Sequence, residues 1–408
     1  MRTERTKPLF AWYSNTYLSR SEVFTFRQLC GMRHADVKVL AQWTANLEEF
    51  PVASIYCAEN ASSFPGRVKN AILRRLSPVQ NRFMLSPYVI RRLSKHIREI
   101  SPDLIYCVFG WNASQLLDVL DTEGCREVPL VFQAAGSDIN AAASIGPEYV
   151  ARLHKSFDRA ALILCVSKFL MSRVLQAGAP ASKVRLHYMG VDIPTDRHTS
   201  RPRRGDKFRI LAVSRLSAVK GVRHTIGAFA SVAVEMPDAV LEIIGNGEEM
   251  TACTELAKQL QVADRIDFRG SQPVSAVYAA MRKADLFVQH NVRTAEGQEE
   301  GWGTTPAEAA AHGLPVIGTR SGGVAESVLH CETGLLGEPG DEKTMAESIL
   351  QLYRSPELRD RFGAAGRERA KLLFDLEKQN RKLEQMLFEV CGYAVPAAQK
   401  TAYAVARQ

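Results

Sequence analysis

Residues 299–308 read EEGWGTTPAE. Glu300 and Glu308 bracket Gly301, Gly303, Thr304 and Thr305, and Glu299 adds a third acid. Thr305 followed by Pro306 predicts a helix start, with Thr305 as N-cap and Pro306 as the first helical residue. Glu308 then falls at the third helical position and completes a capping box. That accounts for Glu308. It leaves unexplained Glu300 and the glycines Gly301 and Gly303, whose backbone amides stand uncovered just before a helix N-terminus. Such amides, together with the helix dipole, form an anion site. In AVSRLSAVKG (212–221), Arg215 and Lys220 follow a strand-like run. Arg offers phosphate oxygens a planar fork and Lys a compact point charge. Taken alone, the two are equally an ordinary pair of solvated cations. A diphosphate held between these elements would repel Glu300. That carboxylate makes sense as an acceptor for sugar hydroxyls or as balance for a developing cation. The same logic links Glu308 to a ribose diol. TRSGGVAES (319–327) adds Gly322 and Gly323, suited to close backbone approach by a ligand.

These residues need strands to position them. Short apolar runs alternate with helical patterns along the chain. The first half has candidate strands at 9–14, 37–42, 54–58, 103–109, 129–135, 161–167 and 183–189, and the second at 209–214, 239–245, 265–270, 285–290 and 314–319. Near-continuous apolar strands alternating with helices predict an α/β fold with parallel sheets covered on both faces. The predicted division is a first Rossmann-like domain over 1–194, a linker over 195–207 rich in Pro, Arg and Thr, and a second domain over 208–374. A helix over about 375–392 is expected to pack back on the first domain, before a loosely held tail, 393–408. Ligands in such a pair bind in the cleft, at the carboxyl ends of strands.

Composition narrows the function classes. The chain has 408 residues, 46% hydrophobic and 24% charged, as ordinary globular proteins do. Its net charge of +8 is mild for this length, and nucleic acid is not expected as a partner. Basic residues cluster from 67 to 98: Arg67, Lys69, Arg74, Arg75, Arg82, Arg91, Arg92, Lys95 and Arg98, with apolar residues interleaved. Such a surface suits anionic lipid head groups. It is equally a solvated face, which Pro78 and Pro87 are expected to break. None of the eight cysteines forms a C-x-x-C pair, so no zinc or redox motif is expected, and a reducing cytosol fits. The N-terminal stretch MRTERTKPLFAWYS lacks a signal-peptide core, and no run approaches a membrane span of about 20 apolar residues. IIGNGEEM (243–250) has Met250 where a dinucleotide fingerprint needs its third glycine, which disfavours a NAD site.

The Glu300-x7-Glu308 element, followed by EAAAHGLPVIGTRSGGVAES and preceded by VSRLSAVKG, RIDFRG and KADLFV, resembles family 4 of the retaining nucleotide-sugar glycosyltransferases, which have the GT-B fold. That likeness covers 209–340 in order and spacing. YLSRSEVFTFRQL (17–29) is similar to the first loop and helix of the subgroup that builds bacterial exopolysaccharides. The resemblance implies that Arg215 and Lys220 hold the donor diphosphate, Glu300 the donor sugar and Glu308 the ribose. It puts Gly301, Gly303, Thr304 and Thr305 at the phosphates, with Gly322 and Gly323 close by, and Arg269 near the base. It implies no metal and no cofactor beyond the nucleotide diphosphate sugar. The acceptor would be a glycan or a lipid-linked glycan, reached from the cytoplasm with residues 67–98 against the membrane. On the acceptor side Ser21, Gly136 and Asp138 are the candidates. There the chain departs from the pattern: Ala135 stands where the family carries His, and Ser19–Glu22 replace a Gly-Gly loop. Two other readings follow, a nucleotide-sugar-binding protein that has lost transfer and, more remotely, a GT-B epimerase.

Overall fold

The apolar runs form strands because β-branched and aromatic side chains pack well on a pleated surface that is covered on both sides. The computed structural model describes residues 5–19, 22–59, 83–195 and 207–394. Ser21, the basic positions 67–82, most of the 195–207 linker and the tail from 395 lie outside the described residues.

The first sheet comprises β1 Leu9–Tyr17, β2 Asp36–Thr44, β3 Ile55–Cys57, β4 Leu104–Val108, β5 Leu130–Ala134, β6 Ala160–Cys165 and β7 Val184–Leu186. Their spatial order is β3-β2-β1-β4-β5-β6-β7, with every pairing parallel. The second sheet comprises β8 Phe208–Val213, β9 Ala239–Ile244, β10 Ile266–Gly270, β11 Leu286–Val288, β12 Val316–Thr319 and β13 Gly334–Gly337, ordered β10-β9-β8-β11-β12-β13 and again parallel. Both are Rossmann-like sheets facing across a cleft, the GT-B arrangement. Strand order reverses between β1 and β4 and between β8 and β11, so the crevices for ligands open at those strands' carboxyl ends.

One continuous apolar seam joins the halves. The core of the first domain takes in Trp302, Ala307, Ala311, Ala370 and Phe374 from the second. Tyr188, Trp302 and Phe374 form an aromatic triangle with centroids 4.9–5.3 Å apart. Each such pair adds about 0.5–1.5 kcal/mol beyond burial. The chain leaves the first domain and returns to it side by side: Val191 N donates to Phe374 O (2.7 Å) and Leu376 N to Val191 O (3.0 Å). The returning helix Leu376–Cys391 lays Leu383, Leu387 and Phe388 against Phe10, Trp12 and Tyr106. Its Glu384 accepts from the amides of Arg33 (2.8 Å) and His34 (2.6 Å).

Pro87 does not break the basic segment. It opens the helix Pro87–Ile100 behind the N-cap Ser86, whose Oγ accepts from Val89 N at 3.3 Å. Val89, Leu93, Ile97 and Ile100 face the core, while Arg91, Arg92, Lys95 and Arg98 stand exposed.

Candidate active site in the cleft

β8 ends at Val213 and delivers Arg215 and Lys220, and β11 ends at Val288 and starts the loop that carries Glu300. Because β8 and β11 are neighbours, the two loops meet. Lys220 Nζ donates to Glu300 Oε2, which also accepts from Asn291 Nδ2 at 3.1 Å. Both side chains keep partial access to solvent, Lys220 at 23% and Glu300 at 17%. Arg215 is exposed and has no ion-pair partner among the described residues. Two cations and a carboxylate therefore share one loop pair, with the carboxylate held by side chains rather than by backbone.

The helix that follows begins earlier than the sequence predicts. It runs Thr304–Ala311 with Gly303 at the N-cap, and no side chain caps it. The predicted capping box is absent, because Thr305 Oγ1 instead donates to Gln289 Oε1 at 2.8 Å. The Glu308 carboxylate, on the second turn, points away from the helix end. Its Oε1 accepts from Arg27 Nη1 at 3.0 Å and from the Tyr278 hydroxyl at 3.1 Å. The first-turn amides at Gly303 and Thr304 are thus left without a side-chain cap, as an anion site requires.

The glycines behave differently from the expectation. Any Cβ on Gly301 would lie 2.4 Å from Ala135 O and 2.6 Å from Gly136 Cα, so here the two domains touch backbone to backbone. Ser167 Oγ, fully buried, donates to Gly301 O at 2.6 Å. Gly301 is an interdomain contact more than open phosphate floor. Gly322 has φ +54, and a Cβ there would lie 1.9 Å from Glu300 O, while Gly323 N donates to that carbonyl at 2.9 Å. The 300 loop lies on the Cβ side of Gly322 and Gly323, and the pair braces it.

The other predicted residues are placed as follows. Arg269 lies on the edge strand β10, two strands from β8, and pairs with Glu242 (3.3 Å) and Asp267 (3.4 Å), so it is not brought together with Lys220 and Glu300. Gly136 caps the short turn Ser137–Asn140 and faces Gly301. Asp138 is fully buried: Oδ1 accepts from Ala135 N (3.1 Å) and Gly136 N (2.7 Å), and Oδ2 from Gly110 N (2.8 Å). Burial pushes its pKa up against the pull of those three amides. Its carboxylate is spent on the backbone, which differs from the acceptor contact expected of it.

Further contacts complete the cleft; the sequence marks Glu299 only as a third acid and leaves Glu326 and Arg27 unremarked. Glu299 pairs with Arg173 of the first domain at 2.9 Å. Glu326, just past the glycine pair, accepts from Lys168 N (2.9 Å), Phe169 N (2.8 Å) and the Tyr188 hydroxyl (3.0 Å), and so satisfies the first turn of the helix Lys168–Gln176 from across the cleft. Arg27, on the helix Val23–Cys30, reaches Glu308, Tyr278 and Asp192. Burial disfavours the charge on Arg27, and Glu308, Tyr278 and Asp192 more than restore it, raising its pKa. No local spacing signals these partners. The one available hint is their chemistry: polar residues just beyond the carboxyl ends of strands or on the helices that follow them.

Two family models match the chain: Glycosyltransferase Family 4 over residues 27–194 and Glycosyl transferases group 1 over residues 195–369. N-acetyl-alpha-D-glucosaminyl L-malate synthase of Bacillus anthracis is 33% identical over 181 residues, 44% of this chain and 45% of its own length. The putative colanic acid biosynthesis glycosyltransferase WcaL of Escherichia coli (strain K12) is 29% identical over 245 residues, 59% of each chain. The chain spans about half the length of the curated relatives it matches. Among solved structures, HepE of Anabaena in complex with UDP-glucose superposes with a TM-score of 0.72 at 19% identity, covering 94% of this chain and 100% of that one. That likeness supports the GT-B fold.

Proposed function

This chain belongs to the family 4 glycosyltransferases, and on that premise we propose that it is a retaining, metal-independent transferase moving a hexose from a nucleotide diphosphate sugar to a glycan or lipid-linked acceptor. One observation carries the reading: Lys220 and Glu300 meet beside the uncapped start of the helix Thr304–Ala311, with Arg215 free to join them. A donor diphosphate takes Lys220, Arg215 and the helix amides. In doing so it releases Glu300 from Lys220 to accept hydrogen bonds from the sugar. Charge that develops on the departing nucleotide is met by groups already in place, so the reaction needs no separate cation. Retention of configuration rests on the family resemblance.

The test is a transfer assay on Glu300→Gln and Lys220→Ala, with the donor chosen by calorimetry against UDP-, GDP-, ADP- and dTDP-sugars. Each substitution is expected to lower turnover about 100- to 1000-fold while melting is preserved. Near-wild-type turnover in both rules the reading out. Proton NMR of the product's anomeric position reports whether configuration is retained.

A second reading, a donor-binding protein without transfer, draws on Ala135, which stands where the family resemblance implies a His and whose carbonyl lies at the domain contact with Gly301. Donor binding with no turnover on any acceptor favours it.

We further infer a peripheral position at the cytoplasmic membrane face. In support, exposed Met84 and Tyr88 lie beside the exposed Arg91, Arg92, Lys95 and Arg98. Co-sedimentation with anionic vesicles at low salt, with release at high salt, is the expected outcome, and no sedimentation at low salt overturns it.

A further inference from the structure

Each acid of the opening stretch has its own cation, and two of the three cations come from the other domain. Glu300 is paired inside its own domain by Lys220, Glu299 is paired across the cleft by Arg173, and Glu308 by Arg27. The Arg27 contact is the most enclosed of the cross-cleft pairs: side-chain exposure is 13% for Arg27 and 10% for Glu308. Its guanidinium forks, Nη1 to Glu308 Oε1 at 3.0 Å and Nη2 to the Tyr278 hydroxyl at 2.7 Å. The Tyr278 hydroxyl can donate its hydrogen bond to Glu308 Oε1 or to Asp192 Oδ2, both at 3.1 Å. Every bond to the Glu308 carboxylate falls on Oε1, and Oε2 meets no donor among the described residues.

Arg27 is itself held firmly. Its carbonyl accepts from Asn380 Nδ2 at 3.0 Å, on the helix that returns from the second domain. Gly31 makes room for this contact, since a Cβ there would lie 2.1 Å from Asn380 Nδ2. Next to it, Gln28 Nε2 donates to the buried Gln133 Oε1 at 2.9 Å. The helix Val23–Cys30 is therefore anchored below while its arginine reaches across.

We propose that Arg27 is a positioning residue for the donor ribose: it fixes the Glu308 carboxylate by one oxygen so that the other meets the ribose hydroxyls, which ties ribose recognition to closure of the two domains. The inference rests on the donor reading above. Its logic is linkage. A carboxylate oriented by a residue of the opposite domain is a good ribose acceptor only when that domain is close, and a bound ribose must favour closure by the same factor. Arg suits the task where Lys would not, because the planar fork engages Glu308 and Tyr278 together.

The experiment is calorimetric titration of the wild type, Arg27→Met and Arg27→Lys with UDP and GDP and with their 2′,3′-dideoxy counterparts, alongside donor steady-state kinetics. Arg27→Met is expected to weaken the ribonucleotide that binds the wild type by about tenfold, a usual size for coupling between sites. The dideoxy nucleotide should bind both proteins alike. KM for the donor should rise by a similar factor with kcat within about threefold, and Arg27→Lys should recover part of the loss. Equal weakening of both nucleotides, or no weakening, overturns the proposal while leaving the donor reading intact. Should Arg27→Met fail to fold, Arg27→Lys carries the same comparison, since it keeps the charge and loses the fork. If neither ribonucleotide binds the wild type, the donor reading falls and this inference with it.

Discussion

Asp138 and Glu300 are both carboxylates at the cleft, one in each domain, and they are held in opposite ways. Asp138 is shut from solvent and takes three backbone amides, those of Gly110, Ala135 and Gly136. Glu300 keeps some access and is held by two side chains, Lys220 and Asn291. A carboxylate bonded to backbone cannot let go without opening the chain, whereas one bonded to side chains can trade partners with a ligand that offers the same groups. The difference separates a residue that builds the wall of the first domain from one that can exchange its partners at the mouth of the second.

Substitution at the two positions breaks or sharpens that contrast. Asp138→Ala strands three buried amides at about 1–3 kcal/mol each, so a stability loss of roughly 4 kcal/mol is expected. Thermal melting should show a fall of roughly 10 °C. A variant that melts like the wild type but no longer transfers sugar would place Asp138 among the chemical groups and erase the contrast. Glu300→Gln comes next. It should cost about 3–4 kcal/mol of transition-state stabilisation with melting unchanged. A large melting shift instead would mean that the Lys220–Glu300 pair holds the fold.

Within the first domain, a buried polar network adds a pH dependence. His187 is fully buried, with Nδ1 3.1 Å from Gln133 Nε2 and Nε2 2.9 Å from Gln379 O. The carbonyl needs a proton on Nε2, so Nδ1 accepts from the amide, and the neutral ring fits both partners. Burial pushes its pKa down from 6.5 to about 4, with Lys382 adding to the fall and the Gln379 carbonyl opposing it. Between those values the unfolded chain binds a proton that the folded chain does not. Stability is therefore complete above about pH 6.5 and is lost as pH falls toward 4, by roughly 3 kcal/mol in total at about 1.4 kcal/mol per pH unit. Melting curves at pH 7, 5.5 and 4.5 should show His187→Gln losing less than the wild type, by about one proton's slope. Equal slopes would remove His187 from the acid response, leaving groups such as His290, which burial and the nearby His224 push to about 4 in the second domain.

The sequence and the structure agree best where the physics is local. Continuous apolar runs mark buried parallel strands, and Lys220 and Glu300 follow two of them, so strand order alone brings them together. β13, Gly334–Gly337, escapes because four residues with a glycine at each end show no period. The capping box fails because Thr305 has a better partner in Gln289, which no i-to-i+3 rule can reveal. Gly301 and Gly322 show on their face only that something must come close. That the something is backbone of the same chain, Ala135 in one case and Glu300 in the other, is decided by the fold. Arg27 and Glu308 lie 281 residues apart, and Phe169 and Glu326 lie 157 apart, so both pairs exist only once the domains have docked.

Glu326 gives the smallest and most discriminating test, since it is a second-domain carboxylate bonded as Asp138 of the first domain is, to backbone amides. Those amides belong to the opposite domain, Lys168 and Phe169, at the first turn of a helix whose own N-cap, Ser167, is shared with Gly301. An acid there gains from the helix dipole as well as from the two hydrogen bonds. Glu326→Gln keeps one acceptor oxygen and discards the charge, and is expected to cost about 1 kcal/mol or less. Glu326→Ala discards both and should cost about 1–2 kcal/mol. Since the bonds cross the cleft, the loss should fall on domain docking. Donor KM should rise a few-fold and hydrogen exchange should quicken at residues 168–171, while each sheet keeps its protection. If exchange instead rises throughout the first sheet, the contact holds up the domain as Asp138 does, and bonding to backbone amides is sufficient to mark a carboxylate as part of the fold wherever the amides lie.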